Sequence, residues 1–172
     1  MLDATLSMSR GFVKEDDLEL AGTDLPERPI SPHANYVTPE GLQQLQQSVQ
    51  ALEKQRQQFT ARKEDPNAQQ KLAEIDRDLH YLVARLESAQ LVDPAQQPRH
   101  TVLFGATVAV EDETGEQHVF KIVGEDEADI SQHKVSYVSP LAKALLGRKA
   151  GDSTLWQRPA GAMQLDILTI EY

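Results

Sequence analysis

The chain has 172 residues, of which 17 are lysine or arginine and 27 are aspartate or glutamate, so its formal net charge is −10. This length suits one ordinary domain or two small ones and excludes a large multidomain enzyme. The acidic balance argues against broad neutralisation of phosphates, so we expect no autonomous DNA binding. The absence of cysteine excludes disulfides, thiolate metal sites and a cysteine nucleophile. No apolar run suits a signal peptide or a membrane span, and we expect a cytoplasmic protein without a membrane partner.

Residues 1–35 are predicted to form an acidic flexible tail. They contain seven acidic residues, three basic residues and three prolines, without a sustained hydrophobic period. Such tails mostly improve solubility, and binding of a basic partner is the alternative. Met8 is an alternative start of the chain.

Residues 36–94 are predicted to form an antiparallel coiled-coil hairpin. The first arm begins at Thr38-Pro39, because a capping residue followed by proline suits the start of a helix. Asp65-Pro66 repeats this signal and begins the second arm. Two apolar seams with steps of three and four meet only if the chain reverses, so the tip lies near residues 64–67. The seams consist of Leu42, Leu45, Val49, Leu52 and Phe59 in the first arm, and of Leu72, Ile75, Leu79, Leu82 and Leu86 in the second.

Residues 95–172 are predicted to form a small antiparallel sheet with one helix, after Asp93-Pro94 has ended the second arm. Alternating apolar residues predict a β-hairpin over residues 102–122 and further strands near residues 135–138 and 163–167. Ser139-Pro140 starts a helix that ends at Gly147. The predicted fold class is therefore α+β.

Four short motifs in the C-terminal segment point to a known family. They are Val-x-Phe-Gly-Ala-x-Val from residue 102, Ile-Val-Gly-x-Asp-Glu-Ala-Asp from residue 122, Ser-Pro-Leu-Ala from residue 139, and Gly-Asp at residue 151. With the hairpin, they resemble the bacterial GreA/GreB transcript-cleavage factors, in a form with a short hairpin. The resemblance implies an FKBP-like C-terminal domain that docks on the rim of the secondary channel of RNA polymerase, with the hairpin inserted towards the active site. It also implies that Ser139, Pro140 and Leu141 contact that rim.

The hairpin tip departs from the family pattern. In cleavage-active members, acidic tip residues help to hold a second Mg²⁺ of the polymerase. Here Glu64 and Asp65 are the only tip candidates, the Glu before Asn67-Ala68 and the Tyr after it are missing, and Asp65 is better explained as a helix cap. The arms are also shorter by about 10 Å. Residues 54–71 hold two acids but five basic residues, which repel Mg²⁺: Lys54, Arg56, Arg62, Lys63 and Lys71.

No motif indicates a catalytic or metal centre of the protein's own. The cluster Asp126-Glu127-Ala128-Asp129 lacks the spacing of a calcium loop and is predicted to be a solvated turn. The five histidines include no pair at helical i, i+4 spacing, so we expect no zinc site. We therefore expect no cofactor, apart from polymerase-bound Mg²⁺ if the tip reaches it, and no enzyme activity beyond stimulation of the polymerase's own RNA cleavage.

Three functional hypotheses remain open. The first is a regulator of transcription elongation that binds RNA polymerase at the secondary channel, with indirect contact to the transcript. The second is an active cleavage factor that uses Glu64 and Asp65. The third is an FKBP-like peptidyl-prolyl isomerase or chaperone, which would need aromatic residues converging around a proline. The aromatic residues of this segment are scattered along the sequence: Phe104, Phe120, Tyr137, Trp156 and Tyr172.

Overall fold

The structure is a computed structural model that describes residues 25–62 and 64–172. Most of the predicted acidic tail, residues 1–24, lies outside the described residues, and so does Lys63. Residues 25–35 contain no helix or strand. No helix among the described residues combines the length and the apolar character that a membrane crossing requires.

Two long helices form the predicted hairpin, α1 (Pro39–Thr60) and α2 (Pro66–Ser88). Each begins at its predicted proline. The Thr38 hydroxyl accepts a hydrogen bond from the Gly41 N–H at the start of α1, at 3.0 Å. A contact between Arg56 of α1 and Asp76 of α2 shows that the helices run antiparallel on either side of the turn. Three residues of the predicted seams are buried, Leu45, Val49 and Ile75, and so is Ala68 at the start of α2.

The predicted end of the second helix is wrong, because α2 ends at Ser88 rather than at Asp93-Pro94. The chain leaves the helix early in order to pair β2 (Gln90–Leu91) in parallel with β1 (Tyr36–Val37). Asp93 instead caps a short 3₁₀ helix, and its side chain accepts a hydrogen bond from the Ala95 N–H at 3.0 Å.

The C-terminal segment forms a five-stranded sheet with one α-helix, which confirms the α+β class. The elements are β3 (Thr107–Asp112), β4 (Gln117–Val123), β5 (Lys134–Ser136), α3 (Pro140–Leu145), β6 (Ser153–Trp156) and β7 (Met163–Glu171). The strand order in the sheet is β5-β4-β3-β7-β6.

Two details of the predicted sheet are corrected by the structure. The sheet is mixed rather than purely antiparallel, because the loop between β4 and β5 carries the chain back and β5 pairs with β4 in parallel. The first strand begins at Thr107 rather than near Val102, because Gly105 adopts a φ of 90° and the Ala106 N–H bonds to the Leu103 carbonyl in a turn.

The core of the sheet lies between its strands and α3. Alternate residues of β3, β4 and β7 contribute Val108, Val110, Phe120, Ile122, Leu165 and Ile167, and α3 contributes Leu141, Ala142 and Leu145.

The chain divides into two compact units. One holds residues 47–84 with the segment that ends at Ile30, and the other holds residues 31–46 and 85–172. Both long helices are divided by these units, so the domain boundaries at residues 35 and 94 stay predictions.

Candidate functional site

Ser139, Pro140 and Leu141 lie together at the start of α3, as their motif predicts. Ser139 is the N-cap, and its hydroxyl accepts a hydrogen bond from the Ala142 N–H at 3.2 Å. Pro140 is exposed at the first helical position, whereas Leu141 is buried in the core of the sheet domain. The accessible part of this candidate contact is therefore Ser139 and Pro140, and Leu141 serves to seat the helix.

An apolar groove of about 510 Å³ is lined by these three residues and continues to strands β4, β5 and β6. Phe120 and Trp156 meet there edge to face, with ring centroids 6.5 Å apart. The Arg158 guanidinium lies 5.5 Å from the centre of the Trp156 ring. The groove also includes Ile130, Val135 and Pro159. It offers a partner apolar surface beside one positive charge, a combination typical of protein-binding sites.

The convergence of aromatic residues was missed by the sequence analysis. Phe120 and Trp156 share the groove, and Tyr36, Phe104 and Tyr137 form a second cluster with ring centroids 5.3 to 5.9 Å apart. Trp156 belongs to β6, a strand that the sequence did not predict. In this strand Thr154 is buried and Leu155 is exposed, so the expected alternation of apolar and polar residues is reversed.

Asp65 caps the second helix of the hairpin. Its Oδ1 accepts a hydrogen bond from the Asn67 N–H at 2.9 Å, and its carbonyl accepts one from the Gln69 N–H at 3.0 Å. Glu64 precedes it as an exposed residue of the turn. The structure thus accounts for Asp65 by its role in the backbone and leaves Glu64 as the freely presented carboxylate.

The basic residues near the tip are partly neutralised by contacts within the hairpin. The Arg56 Nε lies 2.6 Å from Asp76 Oδ1, and this hydrogen bond raises the pKa of Arg56 above its ordinary value. The Lys71 Nζ lies 3.5 Å from Glu74 Oε1. The Arg62 guanidinium lies over the Phe59 ring, 4.9 Å from its centre. The tip therefore presents cations beside two exposed carboxylates, of which that of Asp65 caps α2.

The loop after β4 is the predicted turn, with Ala128 and Asp129 exposed, but it is not solvated throughout. Glu127 is buried and accepts a hydrogen bond from the Thr38 hydroxyl, while Lys134 Nζ lies 3.7 Å from its other oxygen. Asp126 accepts a hydrogen bond from Arg85 Nε at 2.6 Å. The sequence does not reveal these contacts, because the partners of both carboxylates lie at the start of α1 and the end of α2, far away in sequence.

Arg85 completes this contact between the loop and the helices. It is only 1% exposed, and its Nη2 donates a hydrogen bond to Asn35 Oδ1 at 2.9 Å. The Asn35 Nδ2 in turn donates to the Arg85 carbonyl at 2.6 Å. Successive acidic residues of one loop thus hold the first residue before α1 and the last turn of α2, so the family motif in this loop has a structural role.

Comparison with known proteins agrees with this arrangement. Residues 97–172 match the family model described as "Transcription elongation factor, GreA/GreB, C-term". Transcription elongation factor GreB of Neisseria meningitidis is 35% identical over 153 residues, a match that covers 80% of this chain and 94% of the relative. Transcription elongation factor GreA of Halorhodospira halophila is 43% identical over 100 residues, covering 57% of this chain and 63% of the relative.

Among solved structures, GreA factor homolog 1 of Thermus thermophilus is 24% identical, with a TM-score of 0.40, and the match covers 81% of this chain and 100% of that chain. The Neisseria match spans almost the whole relative and includes the hairpin as well as the sheet domain. The chain belongs to the GreA/GreB family of transcription elongation factors.

Proposed function

We propose that this protein regulates transcription elongation by binding RNA polymerase at its secondary channel, with the hairpin inserted towards the active site. The observation that carries the proposal is the match to a named elongation factor over 94% of that factor's length. The protein is then a binding module rather than an enzyme. It acts by occupying the channel, and this action requires no cofactor apart from the polymerase-bound Mg²⁺ if the tip reaches it.

We assign the contact with the polymerase rim to the apolar groove beside Ser139 and Pro140. Both residues are accessible from the groove side, and the aromatic pair Phe120 and Trp156 supplies apolar area for a partner side chain. Ile130 lines the groove and is 76% exposed, so a substitution at this position tests the groove without disturbing the fold. Burial of a new carboxylate against an apolar partner weakens binding, since the charge loses its water.

The test compares Ile130→Asp with a matched control, Leu155→Asp. Leu155 is also an exposed aliphatic residue, 56% exposed, but it does not line the groove. With labelled protein and core RNA polymerase, fluorescence anisotropy should show at least about tenfold weaker binding for Ile130→Asp, equal to about 1.4 kcal/mol, and a change within about twofold for Leu155→Asp. An equal effect of both substitutions, or none, would move the contact away from the groove.

Substitutions at the hairpin tip distinguish the first hypothesis, occupation of the channel, from the second, active transcript cleavage. Asparagine caps a helix about as well as aspartate, so Asp65→Asn removes the charge and keeps the cap. Glu64→Gln removes the exposed carboxylate. In a backtracked polymerase complex we expect no faster cleavage with the wild-type protein, and inhibition of an added cleavage-active Gre factor. Faster cleavage that both substitutions abolish would establish the second hypothesis instead.

The isomerase or chaperone hypothesis gains one observation from the structure, the convergence of Phe120 and Trp156 on the apolar groove. A prolyl-peptide isomerisation assay tests it directly. We expect no acceleration above the uncatalysed rate. Acceleration that Ile130→Asp removes and Leu155→Asp leaves intact would assign this activity to the groove.

A further inference from the structure

A second group of polar side chains lies where β3 turns into β4, and the function proposed above does not use it. The Asp112 Oδ2 is 2.9 Å from His118 Nε2, and the Glu116 Oε1 is 4.0 Å from the same nitrogen. One ligand atom from each of the three residues lies within 4.8 Å of the other two. No other group of histidine and acidic residues in the described part of the chain meets this condition.

Asp112 is held in place by the turn itself. Its side chain is buried, and Oδ1 accepts hydrogen bonds from the Thr114 N–H at 2.9 Å, the Thr114 hydroxyl at 2.6 Å and the Glu116 N–H at 3.1 Å. These donors fix the carboxylate and leave Oδ2 directed at His118. The carboxylate is thus presented as a fixed oxygen ligand.

The separations fit a small divalent cation. Two ligand atoms at about 2.1 Å from a tetrahedral metal lie about 3.4 Å apart. The observed 2.9 Å and 4.0 Å lie on either side of that value. Glu116 is 72% exposed, so its side chain can close the remaining distance at little cost. Coordination through Nε2 requires the tautomer of the neutral imidazole that carries its proton on Nδ1.

The surroundings favour a cation and leave room for its remaining ligands. The turn from Glu111 to Glu116 carries four acidic residues and no basic one. A cavity of about 330 Å³ adjoins the three side chains, large enough for water ligands. One basic side chain, Arg158, also lines this cavity. Its Nε donates a hydrogen bond to the Gly161 carbonyl at 3.2 Å.

We propose that Asp112, Glu116 and His118 form a binding site for a borderline divalent cation of the Zn²⁺ type. An imidazole with two carboxylates suits Zn²⁺, Co²⁺ or Ni²⁺, whereas Mg²⁺ and Ca²⁺ prefer oxygen ligands alone. The helical i, i+4 rule missed this site, because its residues meet across a β-turn, with Asp and His six positions apart. The cavity beside the site shares Phe120, Trp156 and Arg158 with the apolar groove, so metal binding is measured on the protein without polymerase.

The test is calorimetric titration of the metal-free full chain with ZnCl₂, together with the visible absorption spectrum of the Co²⁺ form. We expect one saturable site of micromolar affinity and a spectrum typical of tetrahedral Co²⁺. Glu116→Gln should weaken binding by at least about tenfold, and His118→Gln should abolish it. Because Glu116 is exposed, its substitution spares the fold even if that of His118 does not.

Glu113→Gln is the matched control, because it removes the same charge from the same turn outside the cluster. It should change the affinity by less than about twofold. Absence of saturable Zn²⁺ binding to the wild-type chain would overturn the proposal. Equal weakening by Glu113→Gln and Glu116→Gln would overturn it too, since the turn would then attract cations only through its overall charge.

Discussion

Replacement of Arg85 by alanine should destabilise the protein strongly. The Arg85 side chain is 2% exposed, and it donates hydrogen bonds to Asp126 Oδ2 at 2.6 Å and to Asn35 Oδ1 at 2.9 Å. The substitution leaves a carboxylate and an amide oxygen without these donors and removes the packing of the arginine stem. Loss of one partner from a buried ion pair costs about 3–5 kcal/mol of the free energy of unfolding.

The expected loss lies at the lower end of that range. The Asp126 side chain is 16% exposed, so water can solvate its carboxylate in part once the guanidinium is gone. We therefore expect a decrease of about 3 kcal/mol in the free energy of unfolding for Arg85→Ala. Arg85→Lys should fall between this variant and the wild type, because lysine restores the charge but cannot make both hydrogen bonds in the geometry of a guanidinium.

Urea unfolding measures this effect, with circular dichroism for the helices and fluorescence of the single tryptophan, Trp156, for the sheet domain. Arg56→Ala is the matched control. The Arg56–Asp76 pair has the same 2.6 Å separation, but its side chains are 49% and 42% exposed, so solvent screens it. We expect the urea midpoint of Arg56→Ala to stay close to that of the wild type. A loss of less than about 1 kcal/mol in the free energy of unfolding of Arg85→Ala, or an equal loss in both variants, would contradict the role of burial.

Two further predictions concern the same part of the fold. An alanine Cβ at Gly124 would lie 2.2 Å from the Tyr36 carbonyl oxygen. Gly124→Ala should therefore lower the free energy of unfolding by about 1–3 kcal/mol. An unchanged urea midpoint would contradict this close approach of the two chain segments. Burial raises the pKa of Tyr137, whose hydroxyl donates to the Ala34 carbonyl. As the pH rises, the Tyr137 hydroxyl therefore ionises first in the unfolded chain, which stabilises the unfolded state. The wild type should exceed Tyr137→Phe by about 1 kcal/mol in free energy of unfolding at pH 8, and this difference should shrink above about pH 10. A difference in urea midpoints that stays constant with pH would refute this.

The sequence predicts the long helices well, because their signals are local. Thr38-Pro39 and Asp65-Pro66 specify the two helix starts through capping and the fixed φ of proline, and both starts are confirmed. Strand β6 has no such signal. Its exposed Leu155 and buried Thr154 invert the usual pattern, and an edge strand gains its stability from one neighbour rather than from alternation.

The groove and the burial of Glu127 could not be predicted for a different reason. Phe120 on β4 and Trp156 on β6 are separated in the sheet by β3 and β7, so their contact depends on the curl of the whole sheet rather than on sequence spacing. Glu127 reads as a surface residue because its partner, the Thr38 hydroxyl, lies 89 positions earlier. Local composition determines whether a segment can be a turn, but burial depends on what the rest of the chain places against it.

The residues that carry the family resemblance and the residue that would carry cleavage chemistry lie in different places. Asp126 and Glu127 belong to a family motif, and the structure uses them to hold Arg85 and Thr38 at the ends of the helices. Their presence is therefore explained by architecture alone. Asp65 is likewise explained by its cap of α2, so membership of the family and a well-formed hairpin do not imply cleavage chemistry at the tip. The effect of Asp65→Asn on transcript cleavage separates these roles, because it removes a carboxylate while the hairpin that carries it stays folded.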